Sequence, residues 1–249
     1  MNLLEPLAAR YGPWQGTRPT EIAEEAPETV RAMPVVLRME KAEPPRRTPL
    51  LEAAAAAALA VCLDERALPG GEWHDAVRAW VDGRIRKIAR RARGAHWQAA
   101  QEFPGVTVTV DGAQVRALVP GRIAELPKEI ARLQISGSDL PSDEPGPAPD
   151  DLPALLLNPE VAMTVGKAAA QVGHGTMLLA SLLSPVELEA WGRSGYACSV
   201  RTPSVAQWKQ LHPGDDPAGA WRSRRVIAVR DAGFTEVDPG TVTVLAHWP

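Results

Sequence analysis

The stretch VGKAAAQVGHGTMLLASLL, residues 165–183, decides how this chain is read. It lies in a proline-free run between Pro159 and Pro185 and is rich in Ala, Leu and Val. It is therefore expected to be helical, although Gly173 and Gly175 each cost about 1 kcal/mol against alanine in a helix interior. Lys167, Gln171 and His174 are spaced i, i+4, i+7 and share one stripe, with Val165, Ala169, Val172, Thr176 and Leu179 opposite. Plain solvation accounts for such a stripe in an ordinary amphipathic helix. Glycines beside it point instead to the close approach of a ligand or a neighbouring strand. A lysine in the first turn, where the helix dipole disfavours a cation, points to a held anion or a base.

The flanking segments define a domain. ALLLN (154–158) reads as a buried strand. SPVELEAWGRSG reads as a short helix with Ser184 as N-cap and Pro185 at its first position. YACSVRT reads as a strand, PSVAQWKQL as a helix, HPGDDPAG as a loop and RRVIAVRDAG as a strand. VDPG suits a type II turn and TVTVLAHW a last strand. The order β-α-α-β-α-β-β predicts an α/β fold, a small mixed sheet with helices packed on it.

SGSDLPSDEPGPAPDDL (136–152) replaces apolar residues with proline, glycine and acid and reads as a linker. It separates the domain at 153–249 from a leading α/β domain at 34–135, itself preceded by an arm at 1–33. The leading part offers a strand at PVVLRMEK, an alanine-rich helix from about Pro49 to Leu63, and the hairpin VTVTVDGAQVRALV with its Asp-Gly turn. Laying Pro34 on Pro153 superposes strand on strand and helix on helix without a gap. Thr48, Glu52 and Ala55 then stand where Lys167, Gln171 and His174 stand, the pattern expected of a degenerate repeat.

The chain has 249 residues, 45% of them hydrophobic, and a formal net charge of −3. That is enough for a buried core and excludes a generally basic nucleic-acid binder. A local exception is GRIRKIARRARGAHWQ (83–98), expected to be a basic helix. Its Arg84, Arg86, Lys87, Arg90, Arg91 and Arg93 form a candidate RNA-binding ridge, or else a solvated face paired with carboxylates. Cys62 and Cys198 lack metal spacing and are expected to be free thiols. The N-terminus has no secretory pattern and no apolar run is long enough to cross a bilayer, so a cytoplasmic location is expected. His74, His96, His174, His212 and His247 form no metal-spaced cluster, and the familiar nucleotide-binding loops are missing. Neither metal nor cofactor is implied.

VGKAAAQVGHG resembles the G-K-x-A-A-Q-x-x-H-A signature of the archaeal and eukaryotic type of peptidyl-tRNA hydrolase. VIAVRDAGFTEVDPGTVTVLAHWP resembles that family's closing hairpin, with its R-D-A-G-R-T-Q and P-G-T-x-T-x-L segments. The resemblance spans about 153–249. It implies a four-stranded mixed sheet flanked by helices, and water-mediated hydrolysis of the ester joining a peptide to tRNA. On it, Lys167, Gln171, His174, Asp231, Thr235, Thr241 and Thr243 match the family's motif residues. The implied roles are orientation of a water by Asp231 with a threonine hydroxyl, and stabilisation of the oxyanion or leaving group by Lys167.

Some positions depart from the family pattern. Phe234 and Glu236 stand where the family has arginine and glutamine, Gly175 and Val172 where it has alanine and cysteine, and Ser199 near its second lysine, with Arg201 the closest cation. The implied partner is peptidyl-tRNA. The family's homodimer implies either a homodimer or a pseudo-dimer within one chain. The alternative is a noncatalytic RNA- or protein-binding module that keeps the fold.

Overall fold

The computed structural model describes residues 3–11, 25–135, 139–233 and 236–249. In chain order the leading part contains α1 (Glu5–Tyr11), β1 (Arg31–Arg38), α2 (Arg47–Leu63), α3 (His74–Val81), β2 (Arg86–Ala92), α4 (Gly94–Gln101), β3 (Gly105–Val110), β4 (Ala113–Leu118), β5 (Gly121–Arg122) and α5 (Lys128–Ala131). The trailing part contains β6 (Ala154–Leu157), α6 (Val165–Leu182), α7 (Pro185–Arg193), β7 (Ser199–Arg201), α8 (Val205–Leu211), α9 (Pro217–Arg224), β8 (Val226–Arg230) and β9 (Val242–His247).

The two parts are built alike. The leading sheet has the order β2-β1-β4-β3, with β5 added beside β1, and the trailing sheet the order β7-β6-β9-β8. In each, the first two strands in sequence are parallel and the other pairings on that path antiparallel. The register agrees too, one residue off the alignment of Pro34 with Pro153: Val35 lies between Ala89 and Ala117 as Leu155 lies between Val200 and Ala246, both on the face of the shared core. Laying Pro34 on Pro153 also lays Leu63, the last residue of α2, on Leu182, the last of α6.

Smaller features recur. Trp80 Nε1 donates to Arg86 O at 3.0 Å, six residues on, and Trp191 Nε1 donates to Ala197 O at 2.7 Å, also six residues on. Ile85 and Tyr196, each just before the accepting residue, have φ of 38° and 60°. That left-handed conformation costs a non-glycine residue about 1–2 kcal/mol.

Alanine makes the join between the parts. Ala53 to Ala58 of α2 are all buried, so this helix is apolar all round and packs on its own sheet and against α6. Each helix also reaches the edge strand of the other sheet, α2 against β7 and α6 against β2. One core cluster runs through both halves, and smaller ones lie under Trp97 of α4 and Trp208 of α8. Within the leading arm, Leu3, Leu4 and Leu7 are buried and α1 packs on α6. No helix among the described residues is long and apolar enough to cross a membrane.

Two expectations are corrected. The segment 83–98 is not a basic helix: Arg86–Ala92 is strand β2, paired in parallel with β1 along its length, and a helix begins only at Gly94. Pairing with β1 outweighs the helix propensity of Arg, Lys and Ala. The expected loop HPGDDPAG ends at a helix, α9, because Asp216 accepts from Gly219 N as N-cap and Pro217 occupies the first turn.

Candidate active site

The site forms where α6 meets the C-terminal end of β8. Thr164 caps α6, its Oγ1 accepting from Lys167 N at 3.2 Å. Thr164 in turn donates from N (3.0 Å) and Oγ1 (2.7 Å) to the carboxylate of Glu236. Glu236 thus supplies negative charge at the positive end of the helix, a local reason for a carboxylate here.

Asp231 is positioned by three backbone features. A register shift between Val229 and Arg230 breaks the ladder just before it. Its N donates to Thr241 O at 2.9 Å and its O accepts from Gly240 N at 2.8 Å. The expected type II turn is present, with Gly240 at φ 83° and Thr241 N donating to Asp238 O at 3.2 Å.

The side chains then form a chain of hydrogen bonds. Lys167 Nζ donates to Asp231 Oδ2 at 2.5 Å, and Gln171 Nε2 donates to the same oxygen at 2.7 Å. Gly233 N donates to Asp231 Oδ1 at 2.7 Å. Thr243 Oγ1 donates to Gln171 Oε1 at 2.5 Å, which fixes the amide with its nitrogen toward Asp231. The Lys167 and Asp231 side chains are only 8% and 7% exposed, so the pair is largely withdrawn from water, where charge-assisted hydrogen bonds are strongest.

The polar stripe is therefore not a solvated face. Lys167 and Gln171 turn toward Asp231, whereas His174 turns toward the leading part, its Nδ1 3.1 Å from Lys87 Nζ of β2. Burial, with Lys87 and Lys167 nearby, holds the His174 pKa well below its ordinary value, so the imidazole is neutral. The glycines are explained by packing. A Cβ on Gly173 would lie 3.0 Å from Ala58 Cβ and 3.1 Å from Lys87 Cε, and one on Gly175 would lie 3.0 Å from Leu155 Cδ2.

Of the expected site residues, Lys167, Gln171, Asp231 and Thr243 come together and His174 lies one turn along α6. Thr241 contributes its backbone carbonyl to Asp231. Thr243 is fully buried and acts on Gln171 rather than on a ligand. Thr235 and Phe234 lie outside the described residues.

The expected RNA-binding cations do not share a surface. Lys87 faces α6, while Arg90 is buried and donates to Ala131 O and Leu133 O. Arg86 and Arg84 approach Glu25, and Arg91 donates to Gln134. Arg93 is exposed. Arg201 binds Glu52 at 3.0 Å and the carbonyls of Gly146 and Pro147, which ties the linker to the trailing sheet. Lys87 was the residue misplaced by the sequence reading: alternation along Arg86–Ala92 carried the signal that it points opposite to Arg86 and Arg90. Cys62 and Cys198 are free and buried. Among the described residues no group of three or more His, Cys, Asp or Glu is arranged to hold a metal.

Known proteins match the trailing part. The family model for peptidyl-tRNA hydrolase PTH2 matches residues 153–249. The chain is 32% identical over 98 residues to a peptidyl-tRNA hydrolase of Methanopyrus kandleri, covering 38% of this chain and 81% of that protein. Peptidyl-tRNA hydrolases of Thermococcus onnurineus and Thermococcus sibiricus are 28% and 29% identical over 99 residues, covering 38% of this chain and 80% of each protein. With Lys167, Gln171 and Asp231 gathered at the end of one sheet, the chain belongs, through its trailing part, to the PTH2 family of peptidyl-tRNA hydrolases.

Proposed function

We propose that the trailing unit hydrolyses the ester between a peptide, or an N-blocked amino acid, and tRNA, recycling tRNA for translation in the cytoplasm. The observation that carries this reading is the Asp231 carboxylate, held at the end of β8 by Lys167 and Gln171 of α6. A carboxylate so oriented keeps about one lone pair, on Oδ1, for an attacking water, and an ammonium beside it supplies charge to the oxyanion that forms. Gln171 and Thr243 position the carboxylate. Among the described residues around Asp231 no serine or cysteine stands as a nucleophile, and the two thiols are buried elsewhere with raised pKa values, which favours direct attack by water.

The leading unit is a degenerate copy that makes the chain a pseudo-dimer with one site. The shared strand order, register and Trp-to-carbonyl bonds support this. Asp111, which follows β3 as Asp231 follows β8, is exposed and paired with Arg46 at 2.9 Å. Glu52 turns to Val200 N and Arg201, and Thr48 binds Asp143 of the linker. Among the described residues nothing equivalent to the Lys167–Asp231 pair is assembled there.

The test is single-turnover cleavage of an N-acetylaminoacyl-tRNA by the full chain and by Lys167→Met and Asp231→Asn. The wild type is expected to cleave, and each variant to lose at least about 100-fold, the usual worth of a charge-stabilising group. A folded wild type no faster than buffer refutes the hydrolase; tRNA binding without turnover would then favour a binding module.

A further inference from the structure

Lys87 lies outside the part of the chain that matches hydrolases, yet it contacts the helix that carries the site. Its Nζ is 3.1 Å from His174 Nδ1 and 5.0 Å from the centre of the Trp80 ring, and its stem packs against the bare backbone of Gly173. The matching position in the trailing unit, counted from the Trp-bound carbonyl, is Cys198, which packs on the Glu52 carbonyl of α2 at 3.9 Å. Both units thus press this position into the other's helix. A small thiol suffices on one side, so the repeat architecture by itself does not require a lysine on the other.

The chemistry of the contact is one-sided. An ammonium has three donors and no acceptor, so the Nδ1 facing it must accept. A neutral imidazole whose Nδ1 accepts carries its proton on Nε2. Among the described residues Nε2 has no hydrogen-bond partner, and it is not among the buried unpaired atoms. It is an uncommitted donor on a residue that is only partly buried.

We infer that Lys87 is a positioning residue supplied by the leading unit, which sets His174 as the Nε2-protonated tautomer and so presents a fixed N–H donor to the substrate beside Lys167 and Asp231. His174 then serves as a hydrogen-bond donor rather than a base, and the leading unit is part of the machinery. The groups facing this contact are His174 of α6, Cys62 of α2 and the Trp80 ring of α3, with Lys167 the other charge near His174. Burial lowers the Lys87 pKa to about 7, so above that pH the amine gains an acceptor lone pair and the selection of tautomer lapses.

The kinetic arm rests on the hydrolase reading; the structural arm does not. Full-length protein with 15N-labelled histidine is compared with Lys87→Met and Lys87→Arg by imidazole nitrogen shifts from pH 5 to 9, with His174→Gln used only to assign the resonance. In the wild type at pH 6, His174 is expected to carry its proton on Nε2. Lys87→Met should mix the tautomers and raise the His174 pKa toward the ordinary range. Lys87→Arg, again a pure donor, should keep the wild-type tautomer across the whole range.

With N-acetylaminoacyl-tRNA, Lys87→Met should lower kcat about tenfold, the worth of one misdirected hydrogen bond, with KM changed less than about twofold. The wild-type decline of kcat above about pH 7 should disappear in that variant. A proton on Nδ1 in the wild type, or an unchanged tautomer and pKa in Lys87→Met, overturns the assignment. Expected nitrogen shifts in a wild type that cleaves nothing would uphold the positioning and refute the hydrolase instead.

Discussion

Replacing Lys87 by methionine should stabilise the protein in acid and neutral solution while harming its function. Burial lowers the Lys87 pKa from 10.5 to about 7. At about 1.4 kcal/mol per tenfold change in proton affinity, holding the charged form inside costs roughly 5 kcal/mol below pH 7. Methionine removes that cost with a stem of similar shape. It also leaves His174 Nδ1 without its donor, about 1–3 kcal/mol, and loses the attraction of the cation to the Trp80 ring, about 1 kcal/mol. The net gain at pH 6 is about 2 kcal/mol.

The sign of the pH dependence follows from which state binds the proton. Between about pH 7 and 10.5 the unfolded chain keeps the lysine proton and the folded protein does not, so wild-type stability rises with pH across that window. The variant lacks this term, and its advantage should shrink from pH 7 upward and reverse by about pH 10. Urea unfolding followed by tryptophan fluorescence at pH 6, 8 and 10 reads the difference. A variant less stable than wild type at pH 6, or a difference that does not change with pH, would show that Lys87 is not held as a costly buried cation.

Three further substitutions test the packing and hydrogen bonding behind the site. Gly173→Ala should destabilise by about 1–2 kcal/mol despite better helix propensity, because its Cβ would meet the rigid Ala58 Cβ at 3.0 Å. In Gly166→Ala the new Cβ would lie 3.4 Å from Ala89 Cβ, an ordinary contact, so this variant should be neutral or slightly stabilising; equal effects in thermal unfolding would discount the helix contact. Thr243→Val should cost about 1–3 kcal/mol and lower kcat, since Gln171 Oε1 loses its buried donor and the amide is no longer held toward Asp231. Unchanged stability and kcat would remove Thr243 from the positioning chain.

Much of the trailing unit was legible because its signals are local. The N-cap at Ser184, the type II turn before β9 and the helical run of Val165–Leu182 each depend on residues within a few positions of one another. The likeness of the two halves was also readable, since strand and helix follow at nearly the same spacing in each, although the strand faces align one residue off the register that lays Pro34 on Pro153. The glycines drew attention to the right face of α6, but the sequence does not say what approaches it. The structure puts Ala58, Lys87 and Leu155 there.

What needed the tertiary structure was whatever joins residues far apart in the chain. Arg86–Ala92 has a composition that suits a helix, and only its pairing with β1 makes it a strand that alternates Lys87 with Arg86 and Arg90. The sequence by itself determined the elements of the trailing unit other than α9 and singled out Lys167, Gln171, His174 and Asp231. The tertiary structure decided that Lys167 and Gln171 converge on Asp231 and that Lys87, 87 residues before His174, is a partly buried contact with α6 rather than part of a surface ridge. The physical reason is that hydrogen bonds and desolvation act over a few ångströms in space, while a sequence records only distance along the chain.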